Sequence, residues 1–209
     1  AAQATLLLSP EDDILGGRYD GVSVLVQGAQ GGNPGNTWPS AEPPSDLING
    51  KFGGGGEKFL LFNPGQNAGV IITPKAGASV VNKMTMWVAN DAPARTPLTY
   101  ELFGTNKTIT NDGPGTSYNI SDFTIISRGE TRLSNGINNT LAVISDDPTA
   151  WTGDRSTVNF DNTDAYTSYM LYFPTNGGGD FFQLSEVAFE GTLASCLLYT
   201  SPSPRDPIG

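Results

Sequence analysis

The chain has no histidine in 209 residues. That removes Ser-His-Asp and Cys-His catalytic arrangements and every zinc site that uses an imidazole. There is one cysteine, Cys196, so neither an internal disulfide framework nor a four-cysteine metal site can be built. Basic residues are scarce, 11 Lys and Arg against 21 Asp and Glu, for a net charge of −10. A nucleic-acid partner calls for a basic face that displaces counterions from phosphates, so this balance argues against one. The apolar runs are too short to span a bilayer, so no membrane span is expected. No stretch sustains a 3.6-residue apolar period, which excludes long amphipathic helices.

What is present points to strands. The 26 glycines and 15 prolines, with frequent Asn, Ser and Thr, punctuate short aromatic and β-branched runs. Strands are expected over 5–8, 22–27, 58–62, 69–73, 82–89, 98–104, 123–127, 131–133, 157–160, 168–173 and 182–189. Met84, Met86 and Val88 share one face of their run, as do Tyr169, Leu171 and Phe173. Such alternation marks a strand with one buried face. Turn signals separate the runs: Asn33-Pro34-Gly35, Asn63-Pro64-Gly65, Asn111-Asp112-Gly113 and the glycines after Asn176. The pattern gives an all-β chain folded as an antiparallel β-sandwich of the jelly-roll kind. Residues 1–41 read as an N-terminal strand segment and glycine-rich loop, packed on or lent from the sandwich. The main domain covers 42–195, and no internal repeat is visible.

Seven motifs fall in a familiar order. Asp46-Leu47-Ile48-Asn49-Gly50 is followed by Lys58-Phe59-Leu60-Leu61-Phe62, then Val70-Ile71-Ile72-Thr73-Pro74. Next come the 87–97 segment with Asn90-Asp91-Ala92-Pro93-Ala94-Arg95, then Tyr100-Glu101-Leu102-Phe103-Gly104-Thr105-Asn106. Asn162-Thr163-Asp164-Ala165-Tyr166 and Phe182-Gln183-Leu184-Ser185-Glu186-Val187 close the series. Together they resemble the discoidin, or coagulation factor 5/8 type C, family of galactose-binding-like jelly rolls, in its bacterial secreted form. The resemblance implies an eight-stranded sandwich, an extracellular location and a ligand site in loops at one end. Members of the family bind sugars, lipid headgroups or proteins.

The resemblance also implies a structural calcium ion (Ca2+) after the "I-D-G" motif. Its matching positions are Leu47 and the glycines from Gly53 onward through their carbonyls, Asn49 through its side chain, and Glu186. A hard cation needs six to eight oxygens, which a glycine loop can help supply. Asn49 stands where the family usually has Asp, and Lys51 where it often has a second acid. The alternative is a metal-free loop with Lys51 paired to Glu186.

A sugar site needs an aromatic platform and a few convergent polar groups. Trp151, in a loop by composition, is the first aromatic candidate, with Asp154 in the same loop; Trp38 is the second. Trp151 can equally fold back to cap the core. Asp91 and Arg95 suit a grip on sugar hydroxyls by charge-assisted hydrogen bonds, or else pair with each other to brace their proline-bearing loop. A glycosidase needs two carboxylates at a set separation, and no pair stands out, so an enzyme is not expected.

The reading is a secreted, noncatalytic binding module for carbohydrate or another cell-surface ligand, used in adhesion. The alternative is a structural subunit of an extracellular assembly or filament. There, self-association runs through residues 4–8, lent to a neighbour's sheet by β-strand addition; the same residues can instead be the first strand of their own sandwich. Ala2-Gln3-Ala4 suits a signal-peptidase site and equally an ordinary small-residue start. Residues 196–206 resemble a translated sequencing-library adapter, so 196–209 are expected to be a non-native tail outside the fold.

Overall fold

The computed structural model describes residues 5–19, 24–32, 35–62 and 67–194. The expected tail at 196–209, Ala4 and the Ala2-Gln3-Ala4 signal lie outside the described residues. In chain order the strands are β1 (Thr5–Leu6), β2 (Asp13–Tyr19), β3 (Val24–Gln27), β4 (Ala29–Gln30), β5 (Thr37–Trp38), β6 (Lys51–Phe52), β7 (Phe59–Leu61), β8 (Ala68–Thr73) and β9 (Ser79–Trp87). They continue with β10 (Thr99–Thr105), β11 (Ser117–Asn119), β12 (Thr124–Glu130), β13 (Ala142–Val143), β14 (Arg155–Asn159), β15 (Ser168–Phe173), β16 (Phe182–Leu184) and β17 (Glu186–Leu193). The described helices are short 3-10 turns of three to five residues.

A four-stranded sheet, ordered β1-β17-β9-β14, faces a seven-stranded one, ordered β11-β3-β2-β8-β15-β10-β12. Val70, Ile72, Tyr169, Leu171 and Phe173 from the larger sheet meet Met84, Met86, Val187 and Phe189 from the smaller in the main core. The expected faces of 84–86 and 169–173 are thus the inward ones. The larger sheet is also covered outside, where Ile71, Phe103 and Met170 join Leu25 and Phe123 in a second apolar cluster. A third cluster, Phe52, Trp87, Trp151 and Ala188, covers the outer face of the smaller sheet. The central strands are therefore buried on both faces, not one.

Three local departures from the sequence pattern have physical reasons. The strand expected at 131–133 does not form, because Arg132 takes a left-handed φ of 55° that ends the extended run. The run at 182–189 is split at Ser185: β16 pairs with β7, while β17 pairs with β9. β2 was not expected, since Gly16 and Gly17 interrupt its pattern, yet it sits between β3 and β8. A Cβ on Gly17 would lie 2.0 Å from the Val26 carbonyl oxygen, so only glycine allows that close pairing.

The N-terminal segment pairs within the chain. Thr5 and Leu6 lie antiparallel to Gly191 and Glu190 of β17, and Leu7 and Leu8 are buried in the main core. This is the first-strand arrangement, one of the two that the sequence left open for residues 4–8.

Candidate functional site

Two loops meet at one end of the sandwich. The first, 88–98, links β9 to β10 and turns at Ala92, a left-handed residue with φ 39°, before a short 3-10 turn Pro93–Arg95. The second, 174–181, links β15 to β16. Their backbones are joined by hydrogen bonds from Gly179 N to the Ala94 carbonyl at 2.9 Å and from Gly177 N to the Thr96 carbonyl at 3.1 Å. Gln183, fully buried on β16, donates its amide to the carbonyls of Asp91 and Ala92. Asn176 does the same within its own loop, toward Gly179 and Phe181. Buried amides thus brace both loops: Gln183 ties the first to β16, and Asn176 closes the second on itself.

The side chains on this frame are of two kinds. The Arg95 guanidinium lies 5.0 Å from the centre of the Phe181 ring, a cation–π contact. Phe181 meets Phe62 edge-on at 5.2 Å. Beside them the Lys58 ammonium, its side chain 4 % exposed, lies 2.8 Å from Asp91 and 3.4 Å from Glu42, and bonds Asn90 at 2.9 Å. Burial works against the charge on Asp91, but Lys58, Gln183 and Arg95 outweigh it and hold the carboxyl below its ordinary range. Asp91 stays ionised and half exposed. The expected Asp91–Arg95 pair is therefore replaced: Asp91 pairs with Lys58, which lies closer, and Arg95 covers an aromatic ring. A carboxylate acceptor, a guanidinium donor and two half-buried rings converge here.

The other expected ligand residues are spread out. Trp38 is half-buried beside this end: the Thr37 carbonyl accepts from Phe62 N, and the indole meets Phe59 edge-on at 6.1 Å. Trp151 lies elsewhere, on the outer face of the smaller sheet, only 7 % exposed. It stands edge-on to Trp87 at 5.1 Å and donates its indole N–H to the Ser145 carbonyl at 2.7 Å. That is the core-capping arrangement left open by the sequence. Asp154 accepts from Ser134 nearby. Phe62, Phe181, Lys58 and Gln183 were not singled out from sequence. The one available signal was the Phe181-Phe182 pair directly after a glycine loop.

Of the four residues implied for calcium, Asn49 and Glu186 meet at the Lys51 N–H and Gly53 reaches Ser185 beside them. Glu186, buried, accepts from Gly50 N at 3.1 Å and Lys51 N at 3.3 Å. Asn49 Oδ1 accepts from the same Lys51 N–H at 2.8 Å, and its amide nitrogen bridges Asp46 and Glu57. Gly53 N donates to Ser185, next to Glu186, and Leu47 is fully buried just before Asn49. The alternative of a Lys51–Glu186 ion pair is not what forms; Lys51 meets Glu186 through its backbone N–H.

Acidic side chains crowd together here. Burial, then the charge of Glu57, pushes the Asp46 carboxyl up to about 6. Burial also raises Glu186 well above the usual range, against the N–H groups of Lys51 and Gly50. Among the described residues, no Lys or Arg side chain pairs with Asp46, Glu57 or Glu186. Nor do three acidic side chains converge tightly enough to cage a metal. The excess of carboxyls is what suits a hard cation here, while Asn49 Oδ1 and the Glu186 carboxyl already accept backbone N–H groups.

No protein-family model matches the chain, and no curated protein matches it. Solved structures do. The family 32 carbohydrate-binding module of Clostridium perfringens NanJ, in complex with galactose, is 12 % identical with a TM-score of 0.53, over 90 % of this chain and 99 % of that one. The family 32 module of Streptococcus pneumoniae EndoD is 11 % identical with a TM-score of 0.52, over 88 % and 98 %. The Clostridium perfringens module CpGH89CBM32-5, in complex with GalNAc-β-1,3-galactose, is 16 % identical with a TM-score of 0.50, over 88 % and 99 %. This chain has the galactose-binding-like, discoidin-type jelly-roll fold. The galactose-binding-like sandwich accounts for the meeting of loops 88–98 and 174–181, since both leave its strands at the same end.

Proposed function

We propose that this chain is a noncatalytic carbohydrate-binding module, secreted, that attaches a larger protein or a cell to glycans. The observation that carries the reading is the braced end-loop cluster: Arg95 over Phe181, with the ionised Asp91 beside it. The guanidinium held over Phe181, with a carboxylate beside it, suits a hydroxyl pair, and the half-buried Phe62 ring suits the apolar face of a sugar. The fold neighbours solved with galactose and with GalNAc-β-1,3-galactose make these sugars the first ligands to try. The excess of acidic residues suits a soluble extracellular protein. A calcium ion belongs to the same proposal, held by Asn49, Glu186 and the carbonyls of Leu47 and Gly53. When bound it supplies positive charge to the Asp46, Glu57 and Glu186 cluster.

The test is a calorimetric and NMR titration with galactose and GalNAc. Binding is expected to perturb 91–95 and 177–182, and Arg95→Ala and Phe181→Ala are each expected to weaken it by about tenfold or more. Saturating sugar that moves no resonance in the end loops overturns the site.

A further inference from the structure

β1 leaves β17 early, and a cavity opens where it leaves. The Leu7 N–H donates to the Phe189 carbonyl at 2.9 Å. By the two-residue period of a strand, Val187 is the next residue of β17 to turn its backbone to that edge. Ser9 does not meet it: the Ser9 N–H donates to the Asp12 carboxylate at 3.0 Å instead, and Pro10 has no N–H to give. The cavity, of about 330 Å³, is walled by residues from 6–10, 48–51, 143–146 and 186–188. None of the end-loop residues Asp91, Arg95, Phe62 or Phe181 contributes to it.

The wall is mostly apolar, with a buried carboxyl in it. Leu8 and Ile48 reach it from the main core, and Leu6 and Ile144 from beside the third cluster. Glu186 stands in the same wall, 2 % exposed. Its Oε2 accepts from Gly50 N and Lys51 N, and the Val187 N–H also lies against the carboxyl. A carboxylate has about four lone-pair sites, so acceptor capacity remains. Among the described residues, no Lys or Arg side chain pairs with Glu186 or with Asp146, the exposed carboxyl of the wall. Lys51 is the one basic residue in the wall. It lies opposite Val143, as Phe52 lies opposite Ala142. Opposed residues share a face, and Phe52 and Ala142 pack into the third cluster. The Lys51 side chain therefore turns the other way, to solvent, where it is exposed.

We propose that this cavity binds a small primary amine, its ammonium against Glu186 and its apolar body along Leu6, Leu8, Ile48 and Ile144. An ammonium carries three N–H donors and no acceptor. The wall offers them the carboxylates of Glu186 and Asp146 and the carbonyl of Val187. A neutral apolar guest would leave the buried carboxyl without a partner, at a desolvation cost. An anion would meet both acids and the net charge of −10. A bare metal ion would leave the apolar walls unfilled. The amine site is independent of the sugar reading. It shares Glu186 with the calcium proposal, so the two cations compete for one carboxyl.

The test titrates the full chain, with labelled methyl groups, with hexylammonium in the presence of a chelator, so that calcium does not hold Glu186. Hexanol, hexanoate and methylammonium are the comparison arms. Hexylammonium is expected to saturate and to shift the methyls of Leu6, Leu8, Ile144 and Val187, leaving 91–95 and 177–182 unmoved. Glu186→Gln, which keeps the shape, is expected to weaken binding by about tenfold or more, the loss of a charge-assisted hydrogen bond. Asp146→Asn, at an exposed position that folding does not need, is expected to weaken it by about threefold. Lys51→Ala is expected to leave it unchanged or tighter. Hexanol bound as tightly as hexylammonium takes the carboxyl out of recognition and overturns the proposal. A preference for hexanoate, weakened by Lys51→Ala, overturns it in favour of an anion. Methylammonium bound as tightly overturns the role of the apolar walls. Shifts confined to the end loops, or no shift at saturating amine, overturn the site.

Discussion

The buried Lys58 ammonium sits 2.8 Å from Asp91, and that contact takes the carboxylate nearest Arg95 in sequence. Lys58 precedes β7 and Asp91 follows β9, so the pair ties a loop to the strands beneath it. With its carboxylate neighbour taken, Arg95 is released to lie over Phe181. Glu42, at 3.4 Å, shares the ammonium, so one cation serves two acids.

Lys58→Met is therefore expected to destabilise the fold more than the loss of its methylenes implies, since Glu42 and Asp91 are left without their cation. Removing one partner of a buried pair costs about 3–5 kcal/mol. Exposure of Asp91 lowers this, so a loss of about 2–3 kcal/mol in urea unfolding is expected. A change within error would mean the pair is screened and the loops are held by Gln183 alone.

The same pair sets a pH dependence. The folded carboxyl of Asp91 is held below its ordinary value of 3.8, so the unfolded chain binds its proton first on acidification. The stability it contributes is fully present above 3.8, and is lost as pH falls through the folded value. Wild type and Asp91→Asn should thus differ in stability at neutral pH and converge in acid. A difference that persists unchanged to the lowest pH at which both fold removes Asp91 from the account.

The sandwich was legible because its inward faces keep period two: Met84 with Met86, and Tyr169, Leu171 and Phe173, sit where alternation puts them. β2 was hidden because Gly16 and Gly17 carry no pattern, although close packing is why they are glycines. At the site, Asp91, Arg95 and Trp38 were visible as residue types suited to sugars. The choice of Lys58 over Arg95 as partner depends on strands far apart in sequence, which no spacing encodes. Trp151 shows the same limit: a loop tryptophan in a turn-rich segment reads alike whether it faces solvent or caps Trp87.

Trp151 is expected to matter for stability and not for sugar. Its ring is buried against Trp87 and Phe52 in the third cluster, so Trp151→Ala should cost about 3–5 kcal/mol in chemical unfolding. The end loops are built from other elements, and the variant, below its melting temperature, should keep its affinity for galactose-type ligands. Loss of binding at unchanged stability would instead put the indole in the ligand site.

Calcium offers the sharpest test of the acidic corner. A cation that binds only the folded state stabilises by RT ln(1 + [L]/Kd), about 2.7 kcal/mol at a hundredfold excess. For a domain of this size that is roughly 5–10 °C in melting temperature, so millimolar calcium should raise the wild-type transition and a chelator lower it. Glu186→Gln keeps the shape and an oxygen for the Gly50 and Lys51 N–H groups, but removes the charge. Burial already disfavours that charge, raising the Glu186 carboxyl well above its usual range. In chelator the variant should therefore melt no lower than wild type, and calcium should no longer shift it. Glu190→Gln, whose carboxylate serves Lys83 at 2.9 Å instead, should keep the calcium response. Identical wild-type curves in calcium and chelator would leave the corner metal-free, its acids relieved by the raised values of Asp46 and Glu186 alone.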